Sequence, residues 1–296
     1  MPDIPLVFGS DSKAVISTTG ASLLELSLTS KNLITRTPDP IKIFAGAVLA
    51  PWQNRLAKGE YFDGHGNLKV VPITEQAFGN ALHGMVLTAE FDVLEQADNK
   101  VVLGTNITAT DGYPHNLELE VTYQLADGGF FCEFKVTNNS EAVAPFVIGF
   151  HPYFTIGDTK NSTLVLPAES YYPQDKNKIP LTKSSVAGTS FDFTTERTLE
   201  GVILDDYFTD LKVANSEIVS RLRTAEWTLE LSQSTNLRHL VVYLKENYES
   251  EGKQVAAIAI EPASGPANAF NSKEDLALIE SGASFSGNWR VRLAAQ

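Results

Sequence analysis

Two histidines and one glutamate sit in surroundings suited to proton transfer. His83 lies in Asn80-Ala81-Leu82-His83-Gly84, where the glycine lets backbone pass close to a ligand. His151 lies in Gly149-Phe150-His151-Pro152-Tyr153-Phe154, a polar ring among aromatics and locked by proline. Aromatic walls suit a sugar, whose C–H faces stack on rings while its hydroxyls take hydrogen bonds. Glu261 follows the apolar run Val255-Ala256-Ala257-Ile258-Ala259-Ile260, so it is expected to cap a buried strand, with Pro262 ending the pairing. Partial desolvation at such a place raises a carboxyl pKa toward a value useful for a general base. As residue types alone, each also fits a structural part: a core histidine, or a strand-end glutamate bonded to backbone amides.

Arg55, in Pro51-Trp52-Gln53-Asn54-Arg55-Leu56, and Asp205, in Ile203-Leu204-Asp205-Asp206-Tyr207-Phe208, are weaker signals. A surface salt bridge and a turn would account for them equally well. His65 falls at the tip of a hairpin signal, Asp63-Gly64-His65-Gly66-Asn67, and is expected to be exposed. His115 precedes a strand and His239 opens one, and both are expected to be structural.

The elements that must hold these groups are strands. Leu117-Glu118-Leu119-Glu120-Val121-Thr122-Tyr123-Gln124-Leu125 alternates apolar and polar residues, the pattern of a half-buried strand. Asp127-Gly128-Gly129 then supplies a turn, and a second alternating run extends from Phe130 to Val136. Trp227, Leu229 and Leu231 alternate with polar neighbours, as do Trp289, Val291 and Leu293. Leu240 to Leu244 and Val255 to Ile260 are continuously apolar and predict central strands buried on both faces. Helical periodicity is absent, with one short turn at most between Lys273 and Ile279. The fold class expected is all-β, a large antiparallel β-sandwich in which residues 1–296 form one domain.

Bulk properties narrow the partners. A formal net charge of −13 over 296 residues disfavours nucleic acid and anionic membrane surfaces, which need basic residues to neutralise them. A neutral small molecule is compatible with it. The single cysteine, Cys132, cannot form an internal disulfide and is expected in the core. The start, Met1-Pro2-Asp3-Ile4-Pro5, lacks a basic region followed by an apolar one, so no signal peptide is expected and the cytoplasm is the default. No apolar stretch approaches the length of a membrane span.

Taken in order, Asn54-Arg55, Gly59-Glu60-Tyr61 with Asp63-Gly64, Leu82-His83-Gly84, Gly149-Phe150-His151-Pro152-Tyr153-Phe154, Leu204-Asp205-Asp206-Tyr207-Phe208, and Glu261 with Pro266-Ala267-Asn268-Ala269-Phe270-Asn271 form a set. The set resembles the aldose 1-epimerase (galactose mutarotase) family, in a divergent bacterial-type branch, from about Ala45 to Trp289. The resemblance implies a β-sandwich with the site on a concave face, His151 as general acid on the ring oxygen, and Glu261 as base on the anomeric hydroxyl. It implies that His83 holds the ring and stabilises developing charge, and that Arg55 and Asp205 bind sugar hydroxyls. The catalytic Glu of the family is often followed by Thr-Gln, where this chain has Pro262-Ala263, a departure that bears on the substrate.

Ring opening of a hemiacetal needs an acid and a base, expected on opposite sides of the sugar, and neither cofactor nor metal. For His to act as acid and Glu as base near neutrality, a carboxylate must favour the protonated imidazole and apolar walls must raise the Glu pKa. No metal-ligand cluster and no phosphate-binding glycine motif is present in the sequence. The expected partner is a small-molecule sugar, with the chain as monomer or homodimer. Two rival readings remain on the same fold: a non-catalytic sugar-binding or sensing protein, and a hexose-6-phosphate mutarotase, which would want extra Lys or Arg around the pocket.

Overall fold

The computed structural model describes residues 3–294; Met1 and Pro2, the start of the segment inspected for a leader, lie outside them. Its frame is a nine-stranded and an eight-stranded antiparallel sheet, joined by a four-stranded meander over Ile4–Phe8, Ser12–Ile16, Leu23–Leu28 and Lys31–Ile34. Alternation places the inner face of the larger sheet. Leu117–Ala126 pairs with Gly129–Asn138 through the two-residue Asp127-Gly128 turn, and its burial alternates along its length. Leu119, Val121, Tyr123, Phe130, Cys132 and Val136 are all fully buried in the main core, each large side chain contributing about 1.5–3 kcal/mol.

The eight-stranded sheet carries the candidate chemistry. At its centre His239–Ser250 pairs with Lys253–Ala263. Along the second strand the even-numbered Ile258 and Ile260 enter the main core, whereas Ala257, Ala259 and Glu261 point to the opposite face. The continuous apolar run therefore has two destinations: one face packs the sandwich, while on the other Ala257 and Ala259 join a second small cluster with Tyr153 and Tyr248, and Glu261 lines a cleft.

Two expectations about this region change. Pro262 does not end the pairing, which continues through Leu240↔Pro262 to His239↔Ala263. Ser264 donates its N–H to Ile148, so by the two-residue alternation the nitrogen of Pro262 faces the same edge of the strand. Between Gly149↔Ala263 and Tyr153↔Ala259 that edge has no ladder partner, and the missing donor costs nothing there. Glu261 accordingly lies within the strand and not at its end.

The helical turn also falls elsewhere. It spans Ala269–Ser272, and left-handed backbone at Lys273 and Asp275 ends it. Ala277–Ile279 is instead a short strand paired with Ala144–Phe146. His65 is exposed at its hairpin tip, and His115 and His239 are buried beside or within strands, as expected.

Candidate active site

Register brings His151 to Glu261. Gly149–Phe150 and Tyr153–Gly157 both pair with the edge of Lys253–Ala263, at Gly149↔Ala263 and Tyr153↔Ala259. Counting between these pairs sets His151 opposite Glu261, and directly opposed residues of an antiparallel pair share a face. Pro152 interrupts the ladder there and frees the imidazole to lean across. Its Nε2 lies 3.3 Å from Oε1 of Glu261, and the residues are only 5% and 2% exposed.

The acid–base expectation is altered in its geometry. The two groups stand side by side and not on opposite sides of a ligand. That arrangement suits a hemiacetal, because the ring oxygen and the anomeric hydroxyl are bonded to the same carbon. The electrostatics also differ in part. Burial raises Glu261 well above the ordinary carboxyl range, with nearby Asp205 adding to the effect, as the sequence implied. Burial also pushes His151 down to about 4, against the expectation that its carboxylate neighbour would hold it protonated. Both shifts favour the uncharged forms, a protonated Glu261 carboxyl beside a neutral imidazole. Moving that proton across the contact gives an ion pair of the same net charge.

His83 arrives from another two-stranded ladder, Arg55–Ala57 with Asn80–Leu82, whose Arg55↔Leu82 pair sets Arg55 beside the histidine. The His83 N–H donates to the Asn54 carbonyl at 2.9 Å, and backbone φ is +64°. Gly84 follows at φ +75°; a Cβ there would lie 2.1 Å from the Ala50 carbonyl oxygen. The His83 ring stands edge-on to His151 at 5.6 Å between centroids and to Phe44 at 4.5 Å. Desolvation, reinforced by His151 and Arg55, keeps His83 neutral.

Arg55 is not a surface ion pair. Its side chain is 10% exposed, and its guanidinium forks onto Glu75, with Nε to Oε2 and Nη2 to Oε1 both at 2.9 Å. Nη1 donates to the Tyr207 hydroxyl at 2.9 Å, and that hydroxyl donates to Asn54 Oδ1 at 2.8 Å. Asp205 is not a turn residue either. It opens the strand Asp205–Leu211 opposite Tyr243 and is half exposed, 3.3 Å from Lys178 Nζ.

All five residues line one cleft of about 260 Å³. Phe44, Tyr153 and Tyr243 supply its aromatic walls, and Lys42 and Lys245 stand among its other lining residues. Sequence reasoning did not single out Glu75, Tyr207, Phe44, Lys42 or Lys245. Tyr207 belongs to the Leu204–Phe208 motif, two residues beyond Asp205. Glu75 had no comparable signal, since its role exists only through its fork with Arg55.

The chain is thus an all-β sandwich with a polar cleft that holds two histidines, a buried carboxyl and a braced arginine. The aldose 1-epimerase family model matches residues 3–292, and the chain belongs to that family. The protein YihR of Escherichia coli K12, itself uncharacterized, is 32% identical over 277 residues, covering 92% of this chain and 87% of that one. The aldose 1-epimerase of the same organism is 30% identical over 175 residues, covering 55% of this chain and 49% of that protein. Among solved structures, an aldose epimerase homologue from C. elegans superposes with a TM-score of 0.85 at 19% identity, covering 99% of this chain and 98% of that one. Galactose 1-epimerase from Lactobacillus acidophilus superposes at 0.79 with 20% identity, covering 99% and 94%. These likenesses establish the all-β, galactose mutarotase-like fold.

Proposed function

We propose that the chain is a mutarotase that interconverts the α and β anomers of an aldose, with residues 1–296 acting as one domain. The observation that carries the proposal is the buried 3.3 Å contact between His151 Nε2 and Glu261 Oε1. A sugar bound over this pair presents both oxygens of its anomeric carbon to it. Its hydroxyls solvate the carboxylate, which shifts the shared proton to His151 and leaves Glu261 as base.

Glu261 then takes the anomeric hydroxyl proton while His151 donates its Nε2 proton to the ring oxygen, and the bond from C1 to the ring oxygen breaks. The aldehyde turns about its C1–C2 bond. Closure on the other face runs the same transfers backward, with Glu261 as acid and His151 as base. His83, kept neutral, serves as a hydrogen-bond partner to the ring. Arg55, held by Glu75 and Tyr207, is a pre-oriented donor to hydroxyls. Asp205 accepts from hydroxyls at the cleft margin. Positioned proton transfer contributes about 10²–10⁴-fold in rate.

Polarimetry on freshly dissolved α-anomers tests this. Glucose, galactose and related aldoses, with their 6-phosphates, form the panel, and at least one should equilibrate faster with the protein present. Unchanged rates across the panel would remove the catalytic reading, and binding without acceleration would identify a sugar-binding protein.

A further inference from the structure

Asp205 differs from the other carboxyl groups of the cleft in where its partner comes from. Glu75 and Glu261 meet residues that line the cleft with them, Arg55 and His151. Asp205 instead meets Lys178, which reaches it from a separate loop, with Nζ 3.3 Å from Oδ2. Both side chains are 36% exposed. An ion pair so open to water is screened and adds little to stability. What it does fix is the place of the carboxylate at the cleft margin.

The loop that carries Lys178 is tightly built. Gln174 and Pro180 bridge its ends, and Asp175 Oδ1 accepts the N–H groups of Asn177 and Ile179 at 2.8 and 2.9 Å. Lys178 takes left-handed backbone at φ +63° and donates its own N–H to the Asp175 carbonyl at 3.0 Å. The loop is also tied to the groups that brace Arg55. Asn80, 1% exposed, donates from Nδ2 both to Glu75 Oε2 at 3.2 Å and to the Asn177 carbonyl at 2.9 Å. The Lys178 carbonyl oxygen lies 3.3 Å from the Tyr207 hydroxyl, the same hydroxyl that accepts from Arg55 Nη1. Gln174 Nε2 donates to the Asp205 carbonyl. Tyr207 and Asp205 share one face of their strand by its two-residue alternation. Arg55 and Asp205, far apart in sequence, are thus joined through one loop and the side chains it grips.

We propose that Lys178 is a positioning residue: its ammonium holds the Asp205 carboxylate at the cleft, at a spacing from Arg55 that the loop 174–180 sets. Arg55 is a donor and Asp205 an acceptor, so their relative placement decides which arrangement of ring hydroxyls the cleft accepts. Without the ammonium, the half-exposed carboxylate gains rotamers in water and must be ordered again each time a sugar binds. The inference rests on the mutarotase reading and adds a residue to it. Asp205 grips hydroxyls equally before and during ring opening, so loosening it weakens binding and spares the chemical step.

The test is polarimetric, with the aldose that the wild type accelerates best. Lys178→Met should raise KM about 5- to 10-fold, with kcat changed less than about threefold and the urea denaturation midpoint unchanged. Lys178→Arg should restore most of the lost affinity. In an Asp205→Asn background, Lys178→Met should move KM by less than about twofold, because no carboxylate is left to place. An unchanged KM in Lys178→Met, or the same rise in both backgrounds, would overturn the inference while leaving the mutarotase reading in place. A rise in KM accompanied by a lower denaturation midpoint would make Lys178 a structural residue and overturn it equally. Acceleration of no aldose by the wild type would instead remove the mutarotase reading. The same variants are then compared by calorimetric Kd for glucose and galactose: the same pattern upholds the inference, and absence of binding overturns it.

Discussion

His151 and Glu261 face each other across adjoining strands, 3.3 Å apart from Nε2 to Oε1, with both residues buried. The contact follows from register: the pairs on either side, Gly149↔Ala263 and Tyr153↔Ala259, leave these two residues opposed where Pro152 breaks the ladder. Backbone geometry, and not a mobile loop, fixes the distance between the proposed acid and base. A site built on strands in this way is rigid enough for proton transfer without large rearrangement.

The opposed shifts of the pair predict opposed pH dependences of stability when one partner is removed. In Glu261→Gln only His151 remains, its native pKa lowered from 6.5 to about 4 by burial. The unfolded chain then binds the extra proton, so stability is full above pH 6.5 and is lost as pH falls toward 4. In His151→Asn only Glu261 remains, raised by burial above 4.5. The native state then holds the extra proton, so stability is greatest below pH 4.5 and declines as pH rises. Each slope is at most about 1.4 kcal/mol per pH unit, and the two partly cancel in the wild type. Urea denaturation across pH 4.5–6.5 reads them; parallel slopes in the two variants would contradict the assignment.

Arg55→Met should be costly to stability as well as to activity. It leaves Glu75, whose side chain is 13% exposed, without its fork partner, and it removes the donor to Tyr207. Breaking one side of a buried pair costs about 3–5 kcal/mol. Arg55→Lys keeps the charge but not the fork, and should recover only part of the loss. A chemical denaturation midpoint unchanged in Arg55→Met would mean that the pair is not structural.

Gly84→Ala tests the support of His83. The φ of +75° and the 2.1 Å approach to Ala50 leave no room for a methyl group. The backbone must shift, at a cost of more than about 1 kcal/mol, and carry His83 with it. Lower thermal stability and a lower kcat in the mutarotation assay are expected together. A fully active variant would show that His83 tolerates displacement.

Strands of the larger sheet were legible where burial imposes a period of two, as at Leu117–Ala126 and at Trp289, Val291 and Leu293. The apolar run before Glu261 likewise predicted a central strand. The position of Glu261 within that strand was not legible. Pro262 normally ends a ladder, and only the gap left by His151-Pro152 on the neighbouring edge lets the pairing continue. His83, His151, Arg55, Asp205 and Glu261 were named from ordered motifs, and the fold gathers them in one cleft. Glu75 escaped notice because its part is defined by its fork with Arg55, a relation between separate segments that local pattern does not encode.

The most direct test is Glu261→Gln in the mutarotation assay, using whichever sugar the wild type accelerates best. The substitution preserves size and leaves an amide to meet His151, so the circular dichroism spectrum and cooperative unfolding should be retained. A folded variant whose kcat falls by about 10²–10⁴ is the predicted result. A folded variant that equilibrates the anomers as fast as the wild type would contradict the central claim that Glu261 and His151 open the ring as a pair.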